Sequence, residues 1–242
     1  MTPRRALVVG ASSGVGRAVA IALAESGVRV AAMARRKDRL VDLCADAHGA
    51  IEPVLGDVRS ERLCQESVDA AISHLGGLDA VVYTAGVSNM ALVCDTAYEE
   101  WQRIFETNVI GAGRVFAHAC NELTTNRGQM VVLSSVSEQR PKPGLVPYAA
   151  SKAALRKLIE GLRTENPAVA FSIVSIGPTA PTDFAVEFDP AIADRLRAQW
   201  ITGGFLAPGE MTADDVAAQI VHCSLSPMRT EDLVLLPRPA AP

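Results

Sequence analysis

Short apolar runs alternate with amphipathic stretches along most of the chain. Residues 6–9 form a continuous apolar run that ends at a glycine, which is typical of a strand buried on both faces. Further strands are predicted by the same pattern at residues 28–34, 51–55, 78–83, 129–133, 171–176 and 233–236. Helical spacing follows at residues 17–26, 38–48, 62–75, 97–119, 153–162 and 213–225. This alternation predicts an α/β protein with a parallel sheet of about seven strands and helices on both faces.

Composition limits the class of protein further. A chain of 242 residues suits one α/β domain, and 49% hydrophobic with 21% charged residues is ordinary globular usage. A net charge of -4 argues against nucleic acid or an anionic membrane as a partner. We expect a single domain over residues 1–242.

Cysteine usage and the N-terminal sequence favour a cytoplasmic protein. The apolar run after Arg4 and Arg5 stops at Gly10, before it reaches the length of a signal-peptide core, and no stretch approaches a membrane span. The cysteines are odd in number, scattered and without a CxxC pair, so we interpret all of them as reduced packing residues: Cys44, Cys64, Cys94, Cys120 and Cys223.

A glycine-rich turn joins the first strand to the first helix. Glycines let the backbone approach a pyrophosphate, and the free N–H groups of the helix N-terminus point towards it. A glycine turn alone is a weak signal, but its place between a strand and a helix favours dinucleotide binding. The cradle comprises Gly10, Ser12, Ser13, Gly14, Val15 and Gly16.

Basic residues follow the second strand, where a carboxylate would hold the ribose 2′-hydroxyl of NAD. Arg35 and Arg36 stand there instead, and arginine accommodates the 2′-phosphate of NADP. The sequence therefore predicts NADP(H), with NAD(H) as the less favoured cofactor. The alternative is a solvated basic turn that leads into the next helix.

Two polar residues beyond the cradle each allow two interpretations of their role. Asp57, which follows the third strand and precedes Val58, is placed to bond an adenine amine or to cap the next helix. Asn108 interrupts a long helical stretch, where its amide competes for backbone hydrogen bonds. It indicates a bend or a bound water, or else a tolerated polar residue.

Polar residues also follow the fifth and sixth strands, at the edge where open α/β sheets bind ligands. Ser134, Ser135 and Ser137 are candidates to bond a substrate oxygen, although serine is also a common turn residue. After the sixth strand, residues 177–182 are rigid enough to frame a nicotinamide.

Tyr148 and Lys152 lie four residues apart at the start of a helix, so both can point into one cleft. A nearby cation favours the phenolate and lowers the pKa of a tyrosine towards neutrality, which suits it for proton transfer. The ordinary alternative is a packed tyrosine beside a solvated lysine, and the motif alone does not separate the two.

Residues 183–211 break the alternation and contain several exposed-looking apolar residues, namely Phe184, Phe188, Trp200, Phe205 and Leu206. A long irregular insertion of this kind is often a lid, and a subunit interface is the rival interpretation. Metal binding is poorly supported, because the histidines have no ligand-like spacing and are expected at helix ends or on the surface: His48, His74, His118 and His222.

In order and spacing, these residues resemble the short-chain dehydrogenase/reductase family over essentially the whole chain. The resemblance rests on the glycine cradle, Tyr148 with Lys152, and a further set consisting of Asp57, Ala85, Gly86, Asn108, Ser135, Gly177, Pro178 and Thr182. It implies a Rossmann-type doubly wound sheet and, because of the family's usual spacing, it assigns the substrate-binding role to Ser135.

The resemblance also implies a role for each catalytic residue. Tyr148 would exchange the proton with the substrate oxygen, and Lys152 would lower the pKa of that tyrosine and hold the nicotinamide ribose. Ser135 would steady the carbonyl or alcohol, and Asn108 would anchor a water linked to Lys152. The cofactor carries the redox chemistry itself.

Several positions depart from the family pattern. Val9 stands in place of a threonine that supports the cradle, and Tyr83 and Thr84 replace a pair of asparagines. Ile176 replaces a proline, and the C-terminus lacks the common glycine-rich ending. These departures affect the expected cofactor contacts and leave the catalytic set intact.

The expected function is an NADP(H)-dependent oxidoreductase that acts on a hydrophobic ketone or secondary alcohol, as a homodimer or homotetramer. The alternative is a catalytically silent NADP(H)-binding sensor or scaffold, because a fold alone does not fix a function. A methyltransferase would share the glycine cradle but would not explain the spacing of Ser135, Tyr148 and Lys152.

Overall fold

The computed structural model describes residues 4–47, 49–205 and 209–238. Seven parallel strands form one sheet in the order β3-β2-β1-β4-β5-β6-β7, which confirms the predicted architecture. The strands are β1 Arg5–Val9, β2 Arg29–Ala34, β3 Ile51–Leu55, β4 Ala80–Tyr83, β5 Gln129–Ser135, β6 Ala170–Ile176 and β7 Asp232–Leu235.

Helices cover both faces of the sheet. They are α1 Gly14–Glu25, α2 Lys37–Asp46, α3 Glu61–Leu75, α4 Tyr98–Phe105, α5 Gly111–Thr125, α6 Val146–Glu165, α7 Pro190–Thr202 and α8 Ala213–Leu225. Apolar side chains of α3, α5 and α6 form one core layer with the sheet, and those of α1, α2 and α8 form the other. The two layers explain why the strands are nearly continuous apolar runs, since both strand faces are buried. No helix among the described residues is long and apolar enough to span a membrane.

The order of the strands determines where a ligand can bind. β1 pairs with β2 on one side and with β4 on the other, so the chain winds in opposite directions from this point. In such sheets the crevice lies beyond the carboxyl ends of the strands where the winding reverses. The glycine turn after β1, residues 84–86 after β4 and the serines at the end of β5 all face this edge.

The sequence analysis expected residues 183–211 to be irregular. The described part of this segment instead contains the 13-residue helix α7. Asp189 caps this helix by accepting hydrogen bonds from the amides of residues 191 and 192, and Pro190 occupies its first turn. Trp200 is buried against Met90 and Leu145 rather than exposed, and its indole N–H donates to the Pro143 carbonyl at 2.8 Å. Leu206 lies outside the described residues.

The base of this segment is closed by backbone pairing. Thr179 and Met211 form a parallel bridge, and the amides of Ala180 and Met211 bond the carbonyls of Met211 and Pro178 at 2.9 and 3.0 Å. The bridge therefore brings together the two ends of the segment that contains α7.

Two smaller expectations are corrected. Cys94 is exposed, so it is not a packing residue, whereas Cys64 and Cys223 are buried as expected. Among the described histidines, His118 lies within α5 and pairs with Glu61 at 2.9 Å rather than standing at a helix end. His48 lies outside the described residues.

Candidate active site

The turn after β1 has a backbone that only glycine can supply. Gly10 has a φ of +89°, and a side chain there would place its Cβ 2.6 Å from the amide nitrogen of Ala85. A Cβ on Gly16 would collide with the Gly10 carbonyl and with the Thr84 hydroxyl. The turn therefore packs directly on the loop after β4 and leaves the N-terminus of α1 open, as a phosphate cradle requires.

Thr84 supplies a hydrogen bond beneath the cradle that was expected to be lost because Val9 replaces a threonine. Its hydroxyl donates to the Val9 carbonyl at 2.7 Å and so joins the ends of β1 and β4 beneath the cradle. The neighbouring Tyr83 is fully buried and donates its phenol to the Thr107 carbonyl at 2.5 Å. Both departures from the family pattern thus make new contacts that hold the site together.

Arg36 is the arginine that faces the cradle. Its guanidinium donates to the hydroxyls of Ser12 and Ser13 at 2.8 and 2.9 Å and pairs with Asp183 at 2.7 Å. Arg35 is exposed, and its charge is among the groups that lower the pKa of Asp57. Arg39, which the sequence analysis did not single out, also pairs with Asp183 at 2.8 Å.

A cavity of about 640 Å³ lies beside this cluster. Its walls come from the glycine turn, α1, α2 and the segment after β6, and they include Ser12, Ser13, Gly14, Arg17, Arg39, Thr182 and Asp183. The cavity places hydroxyls and arginines at the N-terminus of α1, where anions are favoured, while its α2 wall also carries the carboxylates of Asp42 and Asp46.

Asp57 does not cap α3, because Ser60 does so by accepting from the Leu63 amide at 3.4 Å. The carboxylate of Asp57 instead accepts from the Arg59 amide at 3.0 Å and from the Arg59 guanidinium at 2.7 Å. Burial opposes its ionisation, but the bonds from Arg59 outweigh burial and hold the pKa of Asp57 below its usual value. Its neighbour Val58 is buried against Gly111.

Tyr148 and Lys152 lie on one face of α6, which begins earlier than the sequence predicted, at Val146. Both residues are buried, and the Lys152 ammonium lies 5.7 Å from the centre of the Tyr148 ring. The ammonium donates to the Leu133 carbonyl on β5 at 2.7 Å, which fixes it at the edge of the sheet. The predicted sharing of one cleft is therefore present.

The electrostatics of this pair differ from the expectation that Lys152 lowers the pKa of Tyr148. Burial raises the pKa of Tyr148 to about 12, and the Ser135 hydroxyl is the group that acts in the opposite direction. Burial also lowers the pKa of Lys152 to about 8. The phenol is consequently protonated at neutral pH, which is the form that donates a proton.

Asn108 lies in a π-helical turn, Glu106–Ile110, which separates α4 from α5 and confirms the predicted irregularity. Its side-chain amide is fully engaged: it donates to the Val87 carbonyl at 3.0 Å and to the Ser151 hydroxyl at 2.9 Å, and accepts from the Val87 amide at 2.8 Å. These bonds join the loop after β4 to α6, one residue from Lys152.

Ser135 ends β5 beside the tyrosine, is buried, and accepts from the Ser137 amide at 3.2 Å. Ser134 points elsewhere and donates to the Glu138 carboxylate at 2.8 Å. Of these two serines, Ser135 is the one that faces the phenol of Tyr148, as the resemblance implied.

Glu138 is a residue that sequence reasoning missed. Its side chain is only 2% exposed and pairs with Arg156 of α6 at 2.7 Å. It also accepts from the Ser134 and Ser175 hydroxyls, each at 2.8 Å, so the carboxylate ties β5, β6 and α6 together. The sequence did not reveal it, because two of its three partners, Arg156 and Ser175, lie 18 and 37 residues away.

The loop after β6 closes the other side of the cleft. The Gly177 amide donates to the Leu235 carbonyl at 2.9 Å, and Pro178 offers its carbonyl to Met211. The side chain of Thr182 lies against Gly14, and its hydroxyl accepts from the Phe184 amide at 3.4 Å. Gly86 faces the Lys152 ammonium from the loop after β4.

Within the ranges that the structure describes, no group of three or more histidine, cysteine or acidic side chains could hold a metal ion. All the polar groups of the cleft are hydrogen-bond donors and acceptors suited to an organic ligand. The catalytic candidates and the cradle therefore share one edge of the sheet.

Comparison with known proteins gives the same picture. The model of the family described as short chain dehydrogenase matches residues 4–192. An uncharacterized oxidoreductase of Myxococcus xanthus is 36% identical over 199 residues, which cover 78% of this chain and 79% of that protein. The 11-beta-hydroxysteroid dehydrogenase-like 2 protein of Arabidopsis thaliana is 34% identical over 73% of this chain and 59% of its own length.

Solved structures of other proteins superpose on this chain over nearly its full length. An alcohol dehydrogenase of Thermococcus sibiricus, complexed with 5-hydroxy-NADP, superposes with a TM-score of 0.82 at 25% identity and covers 96% of this chain and 95% of its own. A short-chain dehydrogenase of Streptomyces avermitilis gives 0.84 at 28% identity over 97% and 89%. With the geometry of the cleft, these matches show that the chain belongs to the short-chain dehydrogenase/reductase family of oxidoreductases, which bind a nicotinamide cofactor and act on small molecules.

Proposed function

We propose that this protein is an NADP(H)-dependent oxidoreductase that interconverts a ketone and a secondary alcohol, with Tyr148 as the acid/base. The observation that carries the proposal is the meeting of Tyr148, Ser135 and Lys152 in one buried cleft at the carboxyl edge of the sheet. A nicotinamide dinucleotide supplies or accepts the hydride when it is bound.

The chain's own residues would handle the proton. The protonated phenol of Tyr148 would donate to the carbonyl oxygen while the Ser135 hydroxyl bonds the same oxygen. The positive charge of Lys152 would stabilise the phenolate that remains, and Asn108 would hold α6 and the loop after β4 in place. The reverse sequence would serve oxidation of the alcohol.

The cradle fits a dinucleotide on two observations. The close approach of Gly10 and Gly16 to neighbouring backbone leaves room for phosphate where a side chain would stand. Arg36, next to Ser12 and Ser13, supplies cationic and hydroxyl groups for a 2′-phosphate, with Arg35 and Arg39 nearby in sequence. Val15, Asp57, Val58, Ala85, Gly86, Gly177, Pro178 and Thr182 complete the proposed cofactor set.

The substrate is proposed to be hydrophobic. The Phe184 ring lies 5.1 Å from the Tyr148 ring, and Phe188 lies 5.4 Å from Phe184, so aromatic surface adjoins the phenol. The name of the Arabidopsis relative refers to a hydroxysteroid, which is a hydrophobic alcohol. Residues 183–211 would then cover the substrate, with a subunit interface as the alternative role.

Changing Tyr148→Phe tests the proposal directly. Turnover of a carbonyl panel with NADPH should fall about a hundred- to ten-thousandfold, because general acid catalysis contributes two to four orders of magnitude. NADPH binding, followed by fluorescence titration, should stay within about twofold. Undiminished turnover would contradict the proposal, and a wild-type protein that binds NADPH but turns over no panel member would favour the sensor or scaffold function.

The preference for NADP(H) is tested by Arg36→Ala. The Michaelis constant for NADPH should rise about 10- to 100-fold, since a charge-assisted contact to phosphate is lost, while that for NADH should change little. The matched variant Lys37→Ala removes an exposed neighbouring charge and should leave both constants nearly unchanged. A wild-type preference for NADH would contradict this part of the proposal.

A cytoplasmic location and a homodimer or homotetramer are also proposed. The acidic balance of charge supports the location, and the exposed apolar side chains of Tyr98 and Ile110 support self-association. Light scattering coupled to size-exclusion chromatography measures the assembly, and a monomer at micromolar concentration would contradict it.

A further inference from the structure

One carboxylate occupies the arginines that are proposed to bind the 2′-phosphate. Asp183 Oδ2 pairs with the Arg36 guanidinium at 2.7 Å and with the Arg39 guanidinium at 2.8 Å. Its negative charge stands where those cations would otherwise be open to a ligand. Arg39 and Asp183 line the cavity beside the glycine cradle, and Arg36 is bonded to Asp183 and to the cradle hydroxyls of Ser12 and Ser13.

The same carboxylate belongs to the segment that covers the catalytic tyrosine. Phe184, the next residue, packs edge to face on the Tyr148 ring at a centroid distance of 5.1 Å, and Tyr148 is only 9% exposed. The proposed substrate carbonyl would reach the Tyr148 phenol, and Phe184 contacts the ring that carries this phenol. Asp183 and Phe184 therefore link two parts of the site that serve different molecules.

We propose that Asp183 is a built-in competitor of the cofactor's 2′-phosphate for Arg36 and Arg39, and that its displacement moves Phe184 off Tyr148. The inference rests on the proposed use of NADP(H). It goes further, because it assigns cofactor selectivity and access to the tyrosine to one residue outside the cradle.

The exposure of these groups makes the exchange feasible. The side chains of Arg36, Arg39 and Asp183 are 41%, 44% and 34% exposed, so their ion pairs are weak and easily replaced. A phosphomonoester carries more charge than a carboxylate near neutral pH and has three acceptor oxygens for the two guanidinium groups. The 2′-hydroxyl of NAD carries no charge and would leave the pairing with Asp183 in place.

Binding of the 2′-phosphate would be unfavourable if Asp183 kept its ion pairs with the two arginines. A 2′-phosphate that bound Arg36 beside an undisplaced Asp183 would place like charges within a few ångströms of each other, and this repulsion opposes binding. The competition should therefore make binding of 2′-phosphorylated ligands weaker than the arginines alone would allow. It should leave ligands without that phosphate unaffected.

Equilibrium binding of two nucleotide fragments isolates this competition from catalysis. Calorimetric titrations would use 2′,5′-ADP, which carries the 2′-phosphate, and 5′-ADP, which does not. In Asp183→Asn, we expect 2′,5′-ADP to bind about five- to twentyfold tighter than in the wild type, because two ion pairs no longer oppose it. The dissociation constant for 5′-ADP should stay within about twofold.

Asp194→Asn is the matched control, because it removes a carboxylate from an exposed position of α7, in the same segment and away from the cavity. It should change neither dissociation constant. Equal gains in Asp194→Asn and Asp183→Asn would reduce the effect to net charge and overturn the proposal.

The outcomes separate this inference from the proposed cofactor preference. A wild-type protein that prefers 2′,5′-ADP, with no gain in Asp183→Asn, would overturn the inference and leave the cofactor preference intact. A wild type without preference that gains one in Asp183→Asn would support the inference, because the carboxylate then masks the arginines. No preference in either protein would overturn both.

Movement of the segment has its own measurement, hydrogen exchange of residues 184–188 followed by mass spectrometry. The amides of Val186 and Phe188 bond the carbonyls of Asp183 and Ala185 at 3.3 and 3.1 Å, so exchange reports whether this turn stays closed. Exchange should become faster with 2′,5′-ADP but not with 5′-ADP, and should be fast in Asp183→Asn without either. Unchanged exchange with 2′,5′-ADP would overturn the displacement of Phe184.

Discussion

Two carboxylates border the cleft, and their surroundings differ sharply. Glu138 has a side chain that is 2% exposed and is held by Arg156 and two serine hydroxyls on β5 and β6. Asp183 is 34% exposed and is held by two arginines on the α2 side of the site. Both are ion-paired, but only the first has its other hydrogen bonds supplied by the interior of the protein.

The difference shows how the same chemical group can serve as fixed structure or as an exchangeable contact. Removing one partner of a buried ion pair leaves a desolvated charge, so such a pair is costly to break. A partly exposed pair can be replaced by water or by a ligand at little cost. We therefore expect the Glu138 side of the cleft to stay fixed while the Asp183 side responds to the cofactor.

The largest effect on stability is expected for Glu138→Gln. The variant keeps an amide for the serine hydroxyls but leaves Arg156 with the more exposed Asp232 as its remaining partner, so the free energy of unfolding should fall by about 1–3 kcal/mol. Urea unfolding followed by circular dichroism measures this change. As a control, Glu66→Gln breaks the exposed pair with Arg62 and should cost less than about 0.5 kcal/mol. Similar losses in the two variants would show that burial does not distinguish the pairs.

The pH dependence of carbonyl reduction sharpens the comparison further. Tyr148, with a pKa of about 12, stays protonated, but Lys152 loses its charge as the pH rises through about 8. Since the charge of Lys152 would stabilise the developing phenolate, we expect kcat/KM for reduction to be highest below that pH and to fall above it. A rate profile from pH 6 to pH 10 checks this, and a rate that keeps rising above pH 9 would contradict it.

The fall of kcat/KM at high pH, which we call the alkaline limb of the rate profile, should depend on Glu138. Burial lowers the pKa of Lys152, and the negative charge of Glu138 partly raises it again, so Glu138→Gln should move the limb to lower pH. Asp232→Asn, which removes the other carboxylate bound to Arg156, is the matched control and should leave the limb in place. An unmoved limb in Glu138→Gln would show that the carboxylate acts only on structure.

A small effect on stability is expected for Asp183→Asn. Its pairs are partly exposed, so the free energy of unfolding should change by less than about 1 kcal/mol, and the difference from wild type should shrink further at 1 M salt. Urea unfolding at low and high salt measures both values. A loss as large as that of Glu138→Gln would mean that Asp183 is structural.

The parts of the fold that follow local rules were predicted from the sequence. Each strand is a short apolar run because both faces of the sheet are covered, and the glycine turn was recognisable because Gly10 requires a positive φ. The carboxyl-edge location of Ser135 and the shared face of Tyr148 and Lys152 followed from strand order and helical spacing. The roles of these residues stay predictions.

The features that were missed depend on distant partners or on competing local signals. Helix α7 was overlooked because glycines and prolines surround it, although the cap at Asp189 and the spacing of Ala193, Leu196 and Trp200 are helical signals. Arg39 and Glu138 have no distinctive local pattern, and their pairing depends on the folded chain. The pKa of Tyr148 likewise depends on its burial, which spacing alone does not show.

The bridge between Thr179 and Met211 joins the two ends of the segment that is proposed to cover the substrate. Both ends of the segment that contains α7 meet at this bridge, but Trp200 packs on Leu145 directly before α6, so a change in the segment can reach the helix that carries Tyr148. If the segment covers the substrate as proposed, its exchange as one contiguous piece would test substrate range, provided that the contacts of Trp200 with Leu145 and Pro143 are kept.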